Sequence, residues 1–197
     1  MSRFIVIEGL DGAGTTTQTA RLTETLSKRS LSVLATREPT NGPVGRILRS
    51  VLRGDADAPA LETLPWLFAA DRADHLYRSV LPALAAGTWV ISDRYYHSSL
   101  AYQMLTLPFQ QIRDLNRAFR APDLTVFLDV TVDACLERIS NRPEKEIFEE
   151  RSRLEAIDLN YQKVLAELRF QGENIVTIDG LQSPDEVERD ILAAVDR

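Results

Sequence analysis

Phe4-Ile5-Val6-Ile7-Glu8-Gly9-Leu10-Asp11-Gly12-Ala13-Gly14-Thr15-Thr16-Thr17-Gln18 runs from an apolar segment of strand length, through a glycine-rich turn, into a stretch of helical spacing. Such a turn lets consecutive backbone N–H groups point inward on a phosphate, and the helix that follows adds the positive end of its dipole. The loop therefore nominates Gly9, Leu10, Asp11, Gly12, Ala13, Gly14, Thr15, Thr16 and Thr17 as a cradle for the phosphates of a nucleotide. In the usual phosphate loop a lysine follows the last glycine and reaches the β/γ phosphates, and the next Ser or Thr ligates Mg²⁺. Thr15 stands where that lysine is expected, while Thr16 keeps the magnesium position and Thr17 offers a further hydroxyl. Binding and rate are thus separable: the cradle remains, with one charge fewer to meet the transferred phosphoryl group.

Moving outward, short apolar runs alternate with longer helical patterns. The strands are expected at Phe4–Glu8, Ser32–Arg37, Thr88–Asp93, Leu124–Asp129 and Asn174–Asp179. Continuous apolar runs such as Leu124-Thr125-Val126-Phe127-Leu128 suit strands covered on both faces. Helices are expected around Thr16–Arg29, Val44–Arg53, Leu61–Leu84, Phe109–Phe119, Val132–Ser140, Phe148–Leu168 and Pro184–Val195. The last opens on Ser183-Pro184-Asp185-Glu186, a cap, a first-turn proline and two acids. The expected fold is α/β in three layers, a five-stranded parallel sheet with helices on both faces, in one domain over residues 1–197. Glu38 to Pro43, with its prolines, and the charge-dense residues 141–150 read as functional loops.

Composition limits the chemistry. Lys plus Arg number 23 against 29 Asp plus Glu, a formal charge of −6, and no dense basic run offers itself to a nucleic acid backbone. A local group of arginines can still hold a small anion. No segment has the length of a signal peptide or a membrane span, so a cytoplasmic protein without membrane partners is expected. The single cysteine, Cys135, falls in a helical pattern and reads as a packing residue.

Two further groups point to a nucleotide. Phe68 and Arg72 are four residues apart on one helix face, a flat ring beside a forked donor that suits a nucleobase. Asp93-Arg94 closes a strand, where α/β sheets bind ligands, so Arg94 can grip a phosphate and Asp93 can help organise Mg²⁺ with Thr16.

Taken together, Glu8-Gly9-Leu10-Asp11-Gly12-Ala13-Gly14, Thr36-Arg37-Glu38-Pro39, Phe68-Ala69-Ala70-Asp71-Arg72, Asp93-Arg94-Tyr95, Ser98-Ser99, Ala101-Tyr102-Gln103, Pro122-Asp123-Leu124 and Leu128-Asp129-Val130 follow the order found in thymidylate kinases. The chain resembles that family over essentially its whole length. The resemblance implies phosphoryl transfer from ATP, with Mg²⁺, to dTMP, giving dTDP and ADP in dTTP synthesis. It implies that Asp11 faces the sugar 3′-hydroxyl, Phe68 stacks on thymine, Arg72 reads the base, and Arg94 clamps the monophosphate beside Arg37, Ser98, Ser99, Tyr102 and Gln103. Ala13 resembles the family group whose phosphate loop lacks a basic residue and whose lid brings arginines instead. The basic residues in or beside that lid are Arg138, Arg142, Lys145, Arg151 and Arg153; with Asp11 and Arg94, Arg142 and Lys145 are nominated as catalytic. Many relatives carry Asp-Arg-x-Glu there, where this chain reads Glu146-Ile147-Phe148-Glu149. A homodimer is also implied. Two other readings remain open: a nucleotide-binding protein of this fold with weak or no turnover, and a GTPase or a kinase for another monophosphate or small metabolite, although no Asn-Lys-x-Asp segment is present.

Overall fold

The computed structural model describes residues 2–55, 57–140, 147–148 and 150–197. Five strands form one parallel sheet in the order β2-β3-β1-β4-β5: β1 Phe4–Gly9, β2 Val33–Arg37, β3 Trp89–Asp93, β4 Leu124–Asp129 and β5 Ile175–Asp179. Each lies within one residue of its sequence expectation at either end. All of β1 is buried, and β4 is buried from Leu124 to Leu128, whereas edge strand β2 is only partly covered. That gradient follows from position: central strands take helices on both faces, so their side chains have no solvent side.

The chain reaches β2 before it returns to place β3 against β1, and later sets β4 on the opposite flank of β1. The direction of winding thus reverses at β1, and the crevice beyond its carboxyl end is where open sheets of this kind take ligands. Helix α1, Thr15–Lys28, starts there and buries Thr15, Gln18, Thr19, Leu22 and Leu26, a stripe spaced by three and four residues. Around the sheet lie α2 Pro43–Arg53, α3 Leu64–His75, α4 Leu81–Ala85, α5 Tyr96–Gln103, α6 Phe109–Asn116, α7 Val132–Ser140, α8 Arg151–Phe170 and α9 Pro184–Val195. The Ser183 and Glu186 side chains close a reciprocal capping box at the start of α9, as its sequence expects.

Some expectations need correction. The stretch Leu61–Leu84 is helical without interruption, as expected, but its winding changes: a 3₁₀ turn at Leu61–Thr63 leads into α3, and a π turn at Leu76–Val80 joins α3 to α4. Pro82 supplies the reason for the π turn, since it has no N–H to donate and its ring crowds the carbonyl four residues back. The helix beginning at Phe109 ends at Asn116 rather than Phe119, and α8 begins at Arg151 rather than Phe148. Helix α5 has no counterpart in the sequence expectations.

Candidate active site

The loop between β1 and α1 is held open by backbone geometry. Gly14 caps α1 at φ 99°, and Gly12 sits at φ 91°, where a Cβ would come within 2.6 Å of the Cys135 carbonyl oxygen on α7. Any side chain at Gly12 would meet both a strained backbone and a helix. Thr15 and Thr16 open the first turn of α1, where N–H groups lack intrahelical partners. Thr16 Oγ1 donates to Asp93 Oδ2 at 2.5 Å, joining the loop to the end of β3, while Asp93 Oδ1 is buried without a hydrogen-bond partner among the described residues. A hydroxyl and a buried carboxylate with one spare oxygen fit the ligand shell of a Mg²⁺ delivered with a nucleotide. Among the described residues no group of three or more His, Cys, Asp or Glu is arranged to hold a metal by itself.

Arg94 follows β3 at φ 73°, a left-handed conformation that costs a non-glycine residue about 1–3 kcal/mol. Its surroundings hold it there: its N–H donates to Ile7 O at 2.9 Å, its carbonyl accepts from Ser92 Oγ at 2.7 Å, and the next N–H, of Tyr95, donates to Glu8 Oε1 at 2.8 Å. The strain turns the guanidinium toward the loop, where Nη1 donates to Gly9 O at 2.8 Å and Ser98 Oγ at 3.0 Å, and Nη2 to Asp11 Oδ1 at 2.6 Å. Burial opposes its charge, but Tyr102, Asp11, Tyr161 and Glu8 outweigh that and hold the group well above its ordinary pKa. It stays cationic.

Beneath Arg94, fully buried Glu8 accepts from Ser98 Oγ at 2.6 Å and Tyr161 OH at 3.0 Å. Burial pushes the Tyr161 phenol well above its usual range, so it remains protonated and able to donate. A second buried carboxylate, Glu38, accepts from Arg72 Nε at 2.9 Å and faces His75 Nδ1 at 3.0 Å. Arg72 also donates through Nη2 to Ser99 Oγ at 2.9 Å and through Nη1 to Asn116 Oδ1. The loop after β2 is pinned by Asp71, which accepts from Thr40 N at 2.7 Å and Thr40 Oγ1 at 2.6 Å, and by Arg49, which donates to Pro39 O at 2.8 Å.

These groups enclose one cavity of about 360 Å³ that joins the phosphate loop to the compartment of Phe68 and Arg72. Its walls bring together Asp11, Gly12, Gly14, Thr15, Thr16, Thr17, Arg37, Phe68, Arg72, Asp93, Arg94, Ser98, Ser99, Tyr102 and Gln103. Gly9, Leu10 and Ala13 do not line it; the first ends β1, and the other two are buried in the core, where Ala13 N donates to Leu10 O at 3.0 Å. Among the described residues five arginines face it against Asp11, Glu38 and Asp93, so they make a cationic cleft in an acidic protein. Gln103 presents both amide atoms, and Tyr102 its hydroxyl, buried without a hydrogen-bond partner among the described residues. Such groups are costly unless something polar meets them.

Sequence reading assigned no role to Glu8, Glu38, Arg49, Asn116, Phe148 or Tyr161 in this architecture. Phe148 lines the cavity and packs edge-on against Tyr102, with ring centroids 5.5 Å apart. Of the lid cations, Arg138 in the last turn of α7 donates to the loop carbonyls of Gly12 and Ala13 at 3.4 Å each and to Gly180 O at 3.1 Å. Arg151 pairs with Asp133 at 2.7 Å, and Arg153 donates to Ile147 O at 2.5 Å. Arg142 and Lys145, with most of the expected lid, lie outside the described residues.

A family model described as thymidylate kinase matches residues 7–191. A probable thymidylate kinase of Thermococcus onnurineus (strain NA1) is 41% identical over 202 residues, spanning 98% of this chain and 97% of that protein. The thymidylate kinase of Leptospira borgpetersenii serovar Hardjo-bovis (strain L550) is 38% identical over 193 residues, spanning 96% and 91%. A probable thymidylate kinase of Pyrobaculum calidifontis is 37% identical over 199 residues, spanning 98% and 96%. The match runs through the loop, the β3 end and α3 alike, and with it the chain belongs to the thymidylate kinase family.

Proposed function

We propose that the chain catalyses transfer of the γ-phosphoryl group of ATP to dTMP, giving ADP and dTDP. The observation that carries this reading is the continuity of the cavity, which has an anion-binding loop at one end, an aromatic ring with a buried arginine at the other, and Arg94 between them. ATP takes the loop through the N–H groups of residues 12–17, and the monophosphate takes Arg94 with Arg37, Ser98 and Gln103 nearby. An oxygen of the monophosphate attacks the γ-phosphorus in line, the bond from that phosphorus to the β–γ bridging oxygen breaks, and ADP leaves with the bridging oxygen's electron pair. Mg²⁺, when bound with ATP, would neutralise part of the triphosphate charge during transfer. Thr16 and Asp93 are the residues that would hold it.

Positive charge at Arg94 meets the acceptor phosphate before transfer and the spreading equatorial charge during it. Asp11, paired with Arg94 at 2.6 Å, fixes the direction of that guanidinium and faces the sugar. Phe68 and Arg72 take the thymine, and Ser99 and Tyr102 close the compartment. Arg142 and Lys145 are proposed to complete the donor side from the lid, and Arg138 brings a cation to the loop that lacks its lysine. A homodimer is proposed on family resemblance.

A coupled assay of ADP release at saturating MgATP tests the reading, with dTMP, dUMP, dGMP and UMP as acceptors. Release with dTMP well above the others is expected. No release from folded protein, with dTMP and ATP both binding by calorimetry, would replace this reading with a binding protein of the same fold.

A further inference from the structure

Arg72 is 1% exposed, and its guanidinium carbon lies over two rings, 5.2 Å from the Tyr95 centroid and 5.7 Å from the Phe119 centroid. A guanidinium carries five N–H donors in one plane. Nε and Nη2 both reach Glu38 Oε2, at 2.9 and 2.8 Å, Nη2 also reaches Ser99 Oγ at 2.9 Å, and Nη1 reaches Asn116 Oδ1. One Nη1 hydrogen is left without a partner among the described residues, on a side chain that lines the substrate cavity.

Asn116 lies outside that cavity. It is 5% exposed in α6 and lines a separate cavity of about 200 Å³ with Tyr96, Leu100 and Phe119. Its amide is oriented by the fold, because Nδ2 donates to Ile112 O at 2.8 Å. A flipped amide would set donors against Arg72 and a carbonyl against a carbonyl.

We infer that Asn116 is a positioning residue for base selection: it occupies one Nη1 hydrogen of Arg72 so that a single donor, fixed in direction by the guanidinium plane, faces the base. A lone donor accepts the 4-oxo group of thymine as its partner and rejects the 4-amino group of cytosine, which brings a second donor. The inference rests on the reading of Phe68 and Arg72 as the base compartment. Asn116 touches no substrate and acts only through Arg72.

The test measures dTMP and dCMP binding by calorimetry, with kcat and KM for dTMP, in Asn116→Leu, Asn116→Asp, Arg72→Met and the Asn116→Leu/Arg72→Met pair. Asn116→Leu is expected to raise the dTMP Kd and KM about tenfold, to leave kcat within twofold, and to narrow the dTMP to dCMP preference. Asn116→Asp, which keeps an acceptor toward Arg72 but sets its second oxygen against Ile112 O, should recover part of that loss, and Asn116→Leu should add nothing in the Arg72→Met background. Should the leucine variant not melt cooperatively, Asn116→Ser carries the same comparison by shortening the acceptor out of reach. The inference is overturned by a folded Asn116→Leu protein whose dTMP affinity and preference stay within twofold of native, or whose loss is equally large without Arg72. Native-like dTMP binding by Arg72→Met would overturn the base-compartment reading as well, whereas loss in Arg72→Met with an unaffected Asn116→Leu overturns this inference alone.

Discussion

At the acceptor end of the cavity, Arg72 and Arg94 are each fixed by several partners drawn from different elements, and the carboxylates behind them are buried and hydrogen-bonded. At the donor end, the loop offers backbone N–H groups and threonine hydroxyls, and among the described residues its cation is Arg138, an exposed side chain resting on carbonyl oxygens. The acceptor end resembles a site assembled before its ligand arrives, so its free energy is already spent in folding. The donor end leaves the rest of its charge compensation to the Mg²⁺ that comes with ATP and to the lid cations proposed above. This contrast explains how a phosphate loop without lysine is compatible with kinase chemistry: orientation and acceptor charge are supplied by the half that the substitution at Thr15 does not touch.

The comparison breaks most completely at Arg94. Arg94→Met removes the charge between the two phosphates and strands Asp11, and kcat/KM for dTMP is expected to fall about a thousandfold or more, read by steady-state assay with a melting curve as control. A smaller effect is expected at Cys135, which reports on α7 beneath the loop. Burial pushes its thiol up to about 11, so it stays protonated at pH 8, and alkylation there should run about a hundredfold slower than for an ordinary thiol. Mass spectrometry of the native and urea-unfolded protein measures the ratio; an equal rate in both would mean that α7 does not shield the residue. The smallest effect sharpens the comparison rather than breaking it. Thr15→Lys should raise kcat/KM for ATP about tenfold while leaving the dTMP Kd within twofold, because the added charge enters only the donor end. A change in dTMP affinity as large as that in ATP would contradict the separation of the two ends.

The strands were legible because a centrally buried strand leaves an uninterrupted apolar run, and the loop because glycines, strand and helix occur in a fixed order. Helix α5 was not, since its eight residues are nearly all buried and carry Ser, His and Gln among apolar groups, which erases the polar face that marks a helix in sequence. Of the nominated residues, those lining the cavity are the ones whose chemistry is local to a motif. Glu8 and Glu38 stood inside recognised motifs with no role assigned. Their partners Tyr161 and Arg72 lie 153 and 34 residues away, and a single chain read in order carries no trace of such pairings. An ionisable residue inside an otherwise apolar, fully buried strand, as Glu8 is, is the signal that could have marked one of them.

The Glu38 carboxylate bears on any attempt to retarget the enzyme to a different nucleobase. Exchanging Arg72 for a neutral reader of cytosine would leave Glu38 with His75 and no arginine in a site that is 3% exposed, a mismatch of about 3–5 kcal/mol. Base preference and folding stability are therefore tied to the same atoms. A designer, or a lineage drifting under selection, would have to move Arg72 and Glu38 together, and the intermediate with only one exchanged is the least stable member of the path.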